Sequence, residues 1–254
     1  MTTNTSPPSA SPNDPANDEM TIWEHVTDLR KRLLVSLVAL VVTVSISFYF
    51  SDDLIHILAR PIGGIEKLIS IEVTENVGVF MKVSLLSGFI LALPLIVYEI
   101  LGFIFKGLYE KERRRLLMII PFATLLFLAG VAFAFFIMLP NALPFLLGFI
   151  GVETTPRLSN YFSFITSLLF WMGLSFETPL VVFILARLNV IQPKDLAKQW
   201  RIAVVVIAII AAVVTPTPDP INMGLMMLPL LVLYGLSILL AWFATRKQSG
   251  QKEL

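Results

Sequence analysis

The chain has 254 residues, 56% of them hydrophobic and only 15% charged, with a mean hydropathy of +0.82. Soluble domains carry about 45–50% apolar and about 25% charged residues, so this composition excludes an ordinary soluble fold and points to an integral membrane protein. A net charge of +1 lacks the broad basic surface that nucleic-acid binding requires, and with no Cys and two His the chain has no thiol nucleophile and no zinc or iron–sulfur ligand set.

In chain order, residues 1–20 are rich in Ser, Thr, Pro and Asn, cannot bury a core, and are expected to form a disordered cytoplasmic tail. Residues 21–243 read as one membrane domain and residues 244–254 as a second cytoplasmic tail. From Thr21 to Arg32, Ile22, Trp23, Val26 and Leu29 recur at helical spacing, which predicts an amphipathic helix lying along the headgroups.

About 20 apolar residues at ~1.5 Å rise are needed to cross a ~30 Å hydrocarbon core, and that ruler finds six spans. They are Leu33–Phe50, Val77–Phe105, Leu116–Leu139, Tyr161–Leu188, Ile202–Val214 and Ile221–Phe243. The first ends in Phe48-Tyr49-Phe50 rather than in small residues suited to cleavage, so it is read as permanent. Between the first two spans, Leu54, Ile55, Ile57 and Leu58 precede Pro61 and Gly63-Gly64, suggesting a separate interfacial helix and a turn.

Backbone polar groups must be satisfied internally in lipid, and no alternating strands of barrel type occur, so the spans are helices. Residues Ile202 to Val214 reach only about 20 Å as a helix. Thr215-Pro216-Thr217-Pro218-Asp219-Pro220 leaves little room for a loop, so the fifth and sixth spans are expected to form a short, tight hairpin. The predicted fold class is therefore all-α: a polytopic membrane protein with six transmembrane helices. Positive loops resist translocation, and fifteen of the nineteen Lys and Arg lie on the N-terminal side of the spans, which predicts that both termini are cytoplasmic.

Three sets of polar residues need a reason. Glu177 lies deep in the fourth span, where a charged carboxylate costs roughly 2.5–3.5 kcal/mol on insertion scales; it serves function, or it bonds a neighbouring helix or carbonyls freed by Pro179. Lys82 is close enough to an interface to snorkel, and Glu99 sits near the cytoplasmic end of the second span. Glu24 and Asp28, one turn apart, repel each other unless a cation visits, although an Asp28–Arg32 pair worth about 0.3–0.5 kcal/mol is the simpler account. Spacing alone does not single out Glu112, which has Arg115 three residues on.

No nucleotide-binding G-x-x-x-x-G-K-[ST] loop and no G-x-S-x-G elbow occurs, so no enzymatic activity and no cofactor is expected. A proton- or ion-coupled small-molecule transporter or channel is the competing class, with Glu177, Glu99 and Lys82 along the path. The paired halves common in transporters are not visible between the first three and last three spans.

The chain resembles the TatC family of twin-arginine translocase proteins over roughly residues 20–245. The resemblance rests on His25-Val26-Thr27-Asp28-Leu29-Arg30-Lys31-Arg32-Leu33, Phe103-Ile104-Phe105-Lys106-Gly107-Leu108-Tyr109-Glu110-Lys111-Glu112-Arg113, Ser175-Phe176-Glu177-Thr178-Pro179 and Thr215-Pro216-Thr217-Pro218-Asp219. Departures are Asp28 where Glu is usual, Lys106 where Pro is usual, Glu99 where Gln is frequent, Gly235 in place of an acidic residue, and one extra residue in the Thr-Pro-Asp segment.

What the resemblance implies is a plasma- or inner-membrane receptor that, with the single-span partners TatA and TatB, exports folded proteins on the proton-motive force. Glu112 and Asp28 would accept the arginine pair of a signal peptide, with Phe103 packed beside them and Glu24 close by. Glu177 would meet a partner helix inside the membrane, and Glu99 and Asp219 are grouped with it as polar contacts. The receptor would work as a homo-oligomer within the complex, in contact with lipid.

Overall fold

The structure, a computed structural model, describes residues 22–104, 110–148, 155–188, 190–214 and 220–249, with side chains omitted for residues 110–118, 246–249 and a few other helical positions. Helix α1 (Ile22–Ala59) is followed by two 3-10 turns (Arg60–Ile62 and Ile65–Lys67) and α2 (Glu75–Ile104). Helix α3 (Glu110–Phe133) continues through a π turn (Ala134–Met138) into α4 (Leu139–Gly148), and α5 (Leu158–Arg187), short α6 (Pro193–Lys198), α7 (Trp200–Val214) and α8 (Pro220–Ser249) complete the chain. Among the described residues, five helical stretches are long and apolar enough to cross a membrane, and α7 is a sixth, shorter apolar helix. The chain is thus an all-helical, multi-pass membrane protein.

Three expectations change in detail. The amphipathic segment before the first span and the interfacial helix after it are not separate elements: α1 runs unbroken for 38 residues. The reason is local, because neither Gly nor Pro occurs between Ile22 and Ala59; breaking a helix without them costs hydrogen bonds and returns nothing. Only at Pro61 and at Gly63 and Gly64, with φ of 95° and 117°, does the chain turn. The third span is likewise extended, since the π turn carries α3 on into α4.

The hairpin of the last two spans is also asymmetric. Helix α7 is short, 15 residues, but α8 has 30 and is not a short span. The first half of α8 lies along α7, and Tyr234 Oη donates to Leu196 O of α6 at 2.6 Å. Beyond that point α8 overruns α7 and packs against the end of α5, where Ala186, Ala241 and Ala244 meet.

Helix α5 is the centre of the bundle. Its buried Phe162, Ile165, Leu168, Leu169 and Met172 join Val79 and Val83 of α2, Ala134 and Leu139 from the α3–α4 region, Ala211 of α7 and Met226 of α8 in one core. Helix α1 stands outside this core for most of its length. Leu33, Leu34, Leu37, Val38, Val41 and Val42 are exposed along it, a surface suited to lipid.

What joins α1 to the bundle is close approach to α2. A Cβ on Gly88 would stand 2.6 Å from Val44 Cα, so the two backbones touch, and Thr43 Oγ1 donates to Gly88 O at 2.8 Å. Ser51 and Ser84 share a buried hydrogen bond further along the same seam.

At the end of the bundle opposite the N-terminus of α1, two connections are tied together. Ile69 N donates to Pro156 O at 3.1 Å and Leu158 N to Ile69 O at 2.9 Å. Arg157 pairs with exposed Glu72 at 2.7 Å and with Glu75, whose carboxylate is buried. The hydrogen bond to Glu72, with the second to Glu75, pushes the Arg157 guanidinium above its already high range. Lys82, about two turns further along α2 than Glu75, reaches Ser163 Oγ of α5.

Two substitutions test these contacts. Gly88→Ala, forced against the α1 backbone, is expected to destabilise the protein by about 1–3 kcal/mol, while Gly78→Ala, which meets open space, loses nothing; thermal unfolding in detergent compares the two. Arg157→Gln strands the buried Glu75 carboxylate, and the same assay is expected to record a larger loss of stability than for Glu72→Gln.

Candidate functional site

The end of the bundle that carries the start of α1 is rich in Lys and Arg, yet it holds a cluster built around carboxylates. In α1, His25, Asp28 and Arg32 are spaced three and four residues apart, and in α2 Glu99, Gly102 and Phe103 lie within one turn of each other. Residues three and four apart share a helix face. Since α1 and α2 are antiparallel neighbours, the two faces meet.

The contacts are specific. Arg32 Nε donates to Asp28 Oδ2 at 2.9 Å, and Arg32 Nη1 donates to Glu99 Oε2 on the facing helix at 3.0 Å. All three side chains are largely withdrawn from solvent, with 24%, 15% and 14% exposure for Arg32, Asp28 and Glu99. The His25 and Phe103 rings stack beside them, centroids 4.4 Å apart and planes tilted by 32°. Gly102 completes the cluster by what it lacks: a Cβ there would stand 2.4 Å from Arg32 Nη1, so the guanidinium would have to shift from its place.

Chemically, this is a site of carboxylate acceptors. Two carboxylates share one guanidinium, and a carboxylate has capacity for more donors than one. The expected Asp28–Arg32 pair is present. What spacing within one helix does not indicate is that the same arginine spans to Glu99, joining two residues that the sequence places in different groups. Sequence reasoning misses Gly102 altogether and assigns Arg32 only its neighbour in the same helix; a glycine beside an aromatic, one turn after a carboxylate, is the signal for a close approach at that point.

The other candidates are distributed as follows. Glu24 lies in the first turn of α1 and Glu112 in the first turn of α3, separated from the end of α2 by a five-residue connection; the side chains of both lie outside the described set. Acidic residues suit that first turn, where the helix dipole presents positive partial charge. Asp219 lies outside the described residues.

Glu177 is far from this cluster, on α5 where it crosses α3. Its carboxylate lies against the Phe127 backbone, and Oε1 is buried without a hydrogen-bond partner among the described residues. The crossing is tight: a Cβ on Gly130 would meet Met172 O at 2.7 Å, and one on Gly173 would meet the Phe127 ring at 2.6 Å. Small residues of this kind let membrane helices approach, and here they bring a carboxylate one turn from the closest contact. An orphaned buried oxygen is costly unless something supplies a donor.

A family model described as Sec-independent protein translocase protein (TatC) matches residues 24–229. The Sec-independent protein translocase protein TatC of Carboxydothermus hydrogenoformans is 40% identical over 92% of this chain and 98% of that protein, and the one from Aquifex aeolicus is 39% identical over 90% and 98%. A crystal structure of a twin-arginine translocase receptor, TatC, superposes with a TM-score of 0.79 at 38% identity, covering 87% of this chain and all of the other.

Proposed function

The chain belongs to the TatC family of Sec-independent protein translocase proteins, and from that premise we propose that it is the signal-peptide receptor of a twin-arginine translocase. It acts in the plasma or inner membrane with both termini in the cytoplasm, and it works with TatA-type and TatB-type single-span subunits to export folded proteins on the proton-motive force. More than one copy serves in the assembled complex. The observation that carries this reading is the match to the twin-arginine receptor along that chain's whole length.

In this reading the basic end of the bundle faces the cytoplasm. Glu112, Asp28 and Glu24 provide the carboxylates that receive two neighbouring arginines, and Phe103 provides an apolar wall. Arginine suits such a site because its planar fork meets a carboxylate through two parallel hydrogen bonds, where lysine offers one compact charge. Hydrogen bonds to charged groups contribute about 1.5–3 kcal/mol each. Losing one arm of a fork therefore weakens binding by about tenfold or more.

The apolar part of the signal then enters between helices, and Glu177 meets a polar group of a partner helix. The buried Oε1 of Glu177 supports that assignment, because a donor from another chain satisfies it. Asp219 and Glu99 are retained as further polar positions in the same scheme. Energy comes from the gradient and from binding, as suits a chain without a nucleotide-binding loop.

Site-specific crosslinking to a twin-arginine peptide tests the receptor role. Glu112→Ala is expected to lose at least about nine-tenths of the specific crosslink while remaining membrane-inserted; full crosslinking by that variant refutes the assignment, as does equal capture of a lysine-pair peptide by the unaltered chain. Glu177→Gln is expected to retain peptide capture but reduce export several-fold, measured by appearance of a folded reporter across the membrane.

A further inference from the structure

Three basic residues stand in a row where α1 enters its apolar stretch, and they are used differently. Arg32 turns into the α1–α2 seam, where it bonds Asp28 and Glu99. Arg30 and Lys31 are exposed, and among the described residues neither side chain has an ion-pair or hydrogen-bond partner.

These two cations head an open furrow of about 440 Å³ along α1, lined also by Thr27, Leu34, Val35 and Val38. Its positions recur at spacings of three and four residues, which is one helix face. The walls are apolar almost throughout, so Arg30 and Lys31 give the furrow their aliphatic stems and keep their charges at its rim. Leu34, Val35 and Val38 are exposed below them. Thr27 Oγ1 donates to Trp23 O at 2.8 Å, which leaves the Thr27 oxygen as an acceptor. Trp23, one turn nearer the N-terminus, is 80% exposed. Indole rings favour the headgroup level, which sets the two charges at the edge of the hydrocarbon.

We propose that this face of α1 is a binding site for one anionic glycerophospholipid. The phosphate sits between Arg30 and Lys31, a headgroup hydroxyl donates to Thr27 Oγ1, and an acyl chain lies along Leu34, Val35 and Val38. The order of the furrow, cationic at one end and apolar along the rest, is that of a lipid standing in its leaflet. Its size argues for a chain over a helix. Spread along the roughly 16 Å from Thr27 to Val38, this volume leaves a cross-section suited to hydrocarbon and far narrower than a helix of about 10–12 Å diameter. A lipid held here fixes the depth of α1, the helix least enclosed by the bundle. Arg30 and Lys31 take no part in the acceptor cluster, so the site stands independently of the receptor reading.

Native mass spectrometry of the full chain, released from detergent micelles supplemented with phosphatidylglycerol or phosphatidylcholine, counts the bound lipids. Each Lys or Arg beside an anionic headgroup is worth about fivefold in affinity, so one phosphatidylglycerol is expected to bind roughly twenty-five-fold more tightly than phosphatidylcholine. Arg30→Gln combined with Lys31→Gln is expected to abolish that preference. Lys194→Gln combined with Lys198→Gln removes the same charge from the same end of the bundle and is expected to preserve it. Val35→Trp fills the furrow with every charge in place and is expected to weaken phosphatidylglycerol binding by about tenfold or more. All five positions are exposed, so the fold tolerates the changes.

The site is overturned if the unaltered chain shows no lipid preference, or if Val35→Trp binds phosphatidylglycerol in full. Equal losses from the two charge pairs overturn it too, since they assign the preference to diffuse surface charge. A dimer of the unaltered chain that Val35→Trp abolishes, without any lipid preference, gives the furrow to a second copy instead.

Discussion

Lipid tails are as apolar as leucine, so helices inside a bilayer gain little by hiding hydrophobic side chains from one another, and close backbone approach has to bring them together. That constraint shapes this protein. Glycines stand at tight crossings where Gly88 meets Val44, Gly130 meets Met172 and Gly173 meets Phe127. The first joins α1 to α2, and the other two join α3 to the central α5. Dispersion across these narrow gaps is the cohesive term, and a single added methyl group is enough to open them.

Polar contacts then fix what the glycines bring close. At one end, Arg157 ties Glu72 and Glu75 at the start of α2 to the start of α5. At the other, Arg32 ties α1 to α2 through Asp28 and Glu99. Ion pairs away from water are useful for register as much as for stability, because each has few acceptable geometries. The two arginines differ in their setting. Arg157 sits among connections that close one end of the bundle, whereas Arg32 lies on α1, the helix least enclosed by the rest.

That difference bears on function. A site meant to receive a ligand needs acceptors that are held in place, and at the α1–α2 seam one guanidinium holds two carboxylates. Glu177 presents the complementary case deeper in the bundle. The tight α3–α5 crossing holds a carboxylate oxygen with no donor among the described residues. In the proposed scheme, receptor capture and partner contact fall to different parts of one scaffold, joined through α2 and α5.

The class of the protein was legible from composition and hydropathy, because a bilayer sets a length and a polarity for every element that crosses it. The six apolar runs followed from that ruler, and so did the shortness of α7. The family was legible from four short motifs in order. The extent of α1 was legible too, in the absence of Gly and Pro from Ile22 to Ala59, but amphipathic flanks read as separate interfacial pieces when a span is measured only by its apolar middle. The overrun of α8 past α7 was not, since it depends on alanines of α5 and α8 that are distant in the chain. Asp28–Arg32 could be read from i,i+4 spacing, whereas Glu99 and Gly102 joined that pair only when α1 and α2 packed in one register, and Arg157 found Glu75 only when two connections met at the far end. Sequence alone determined which segments are helical and apolar, because that is a local property of each stretch in lipid; tertiary structure decided which carboxylates share an arginine, because that depends on the register of helices whose residues lie far apart along the chain.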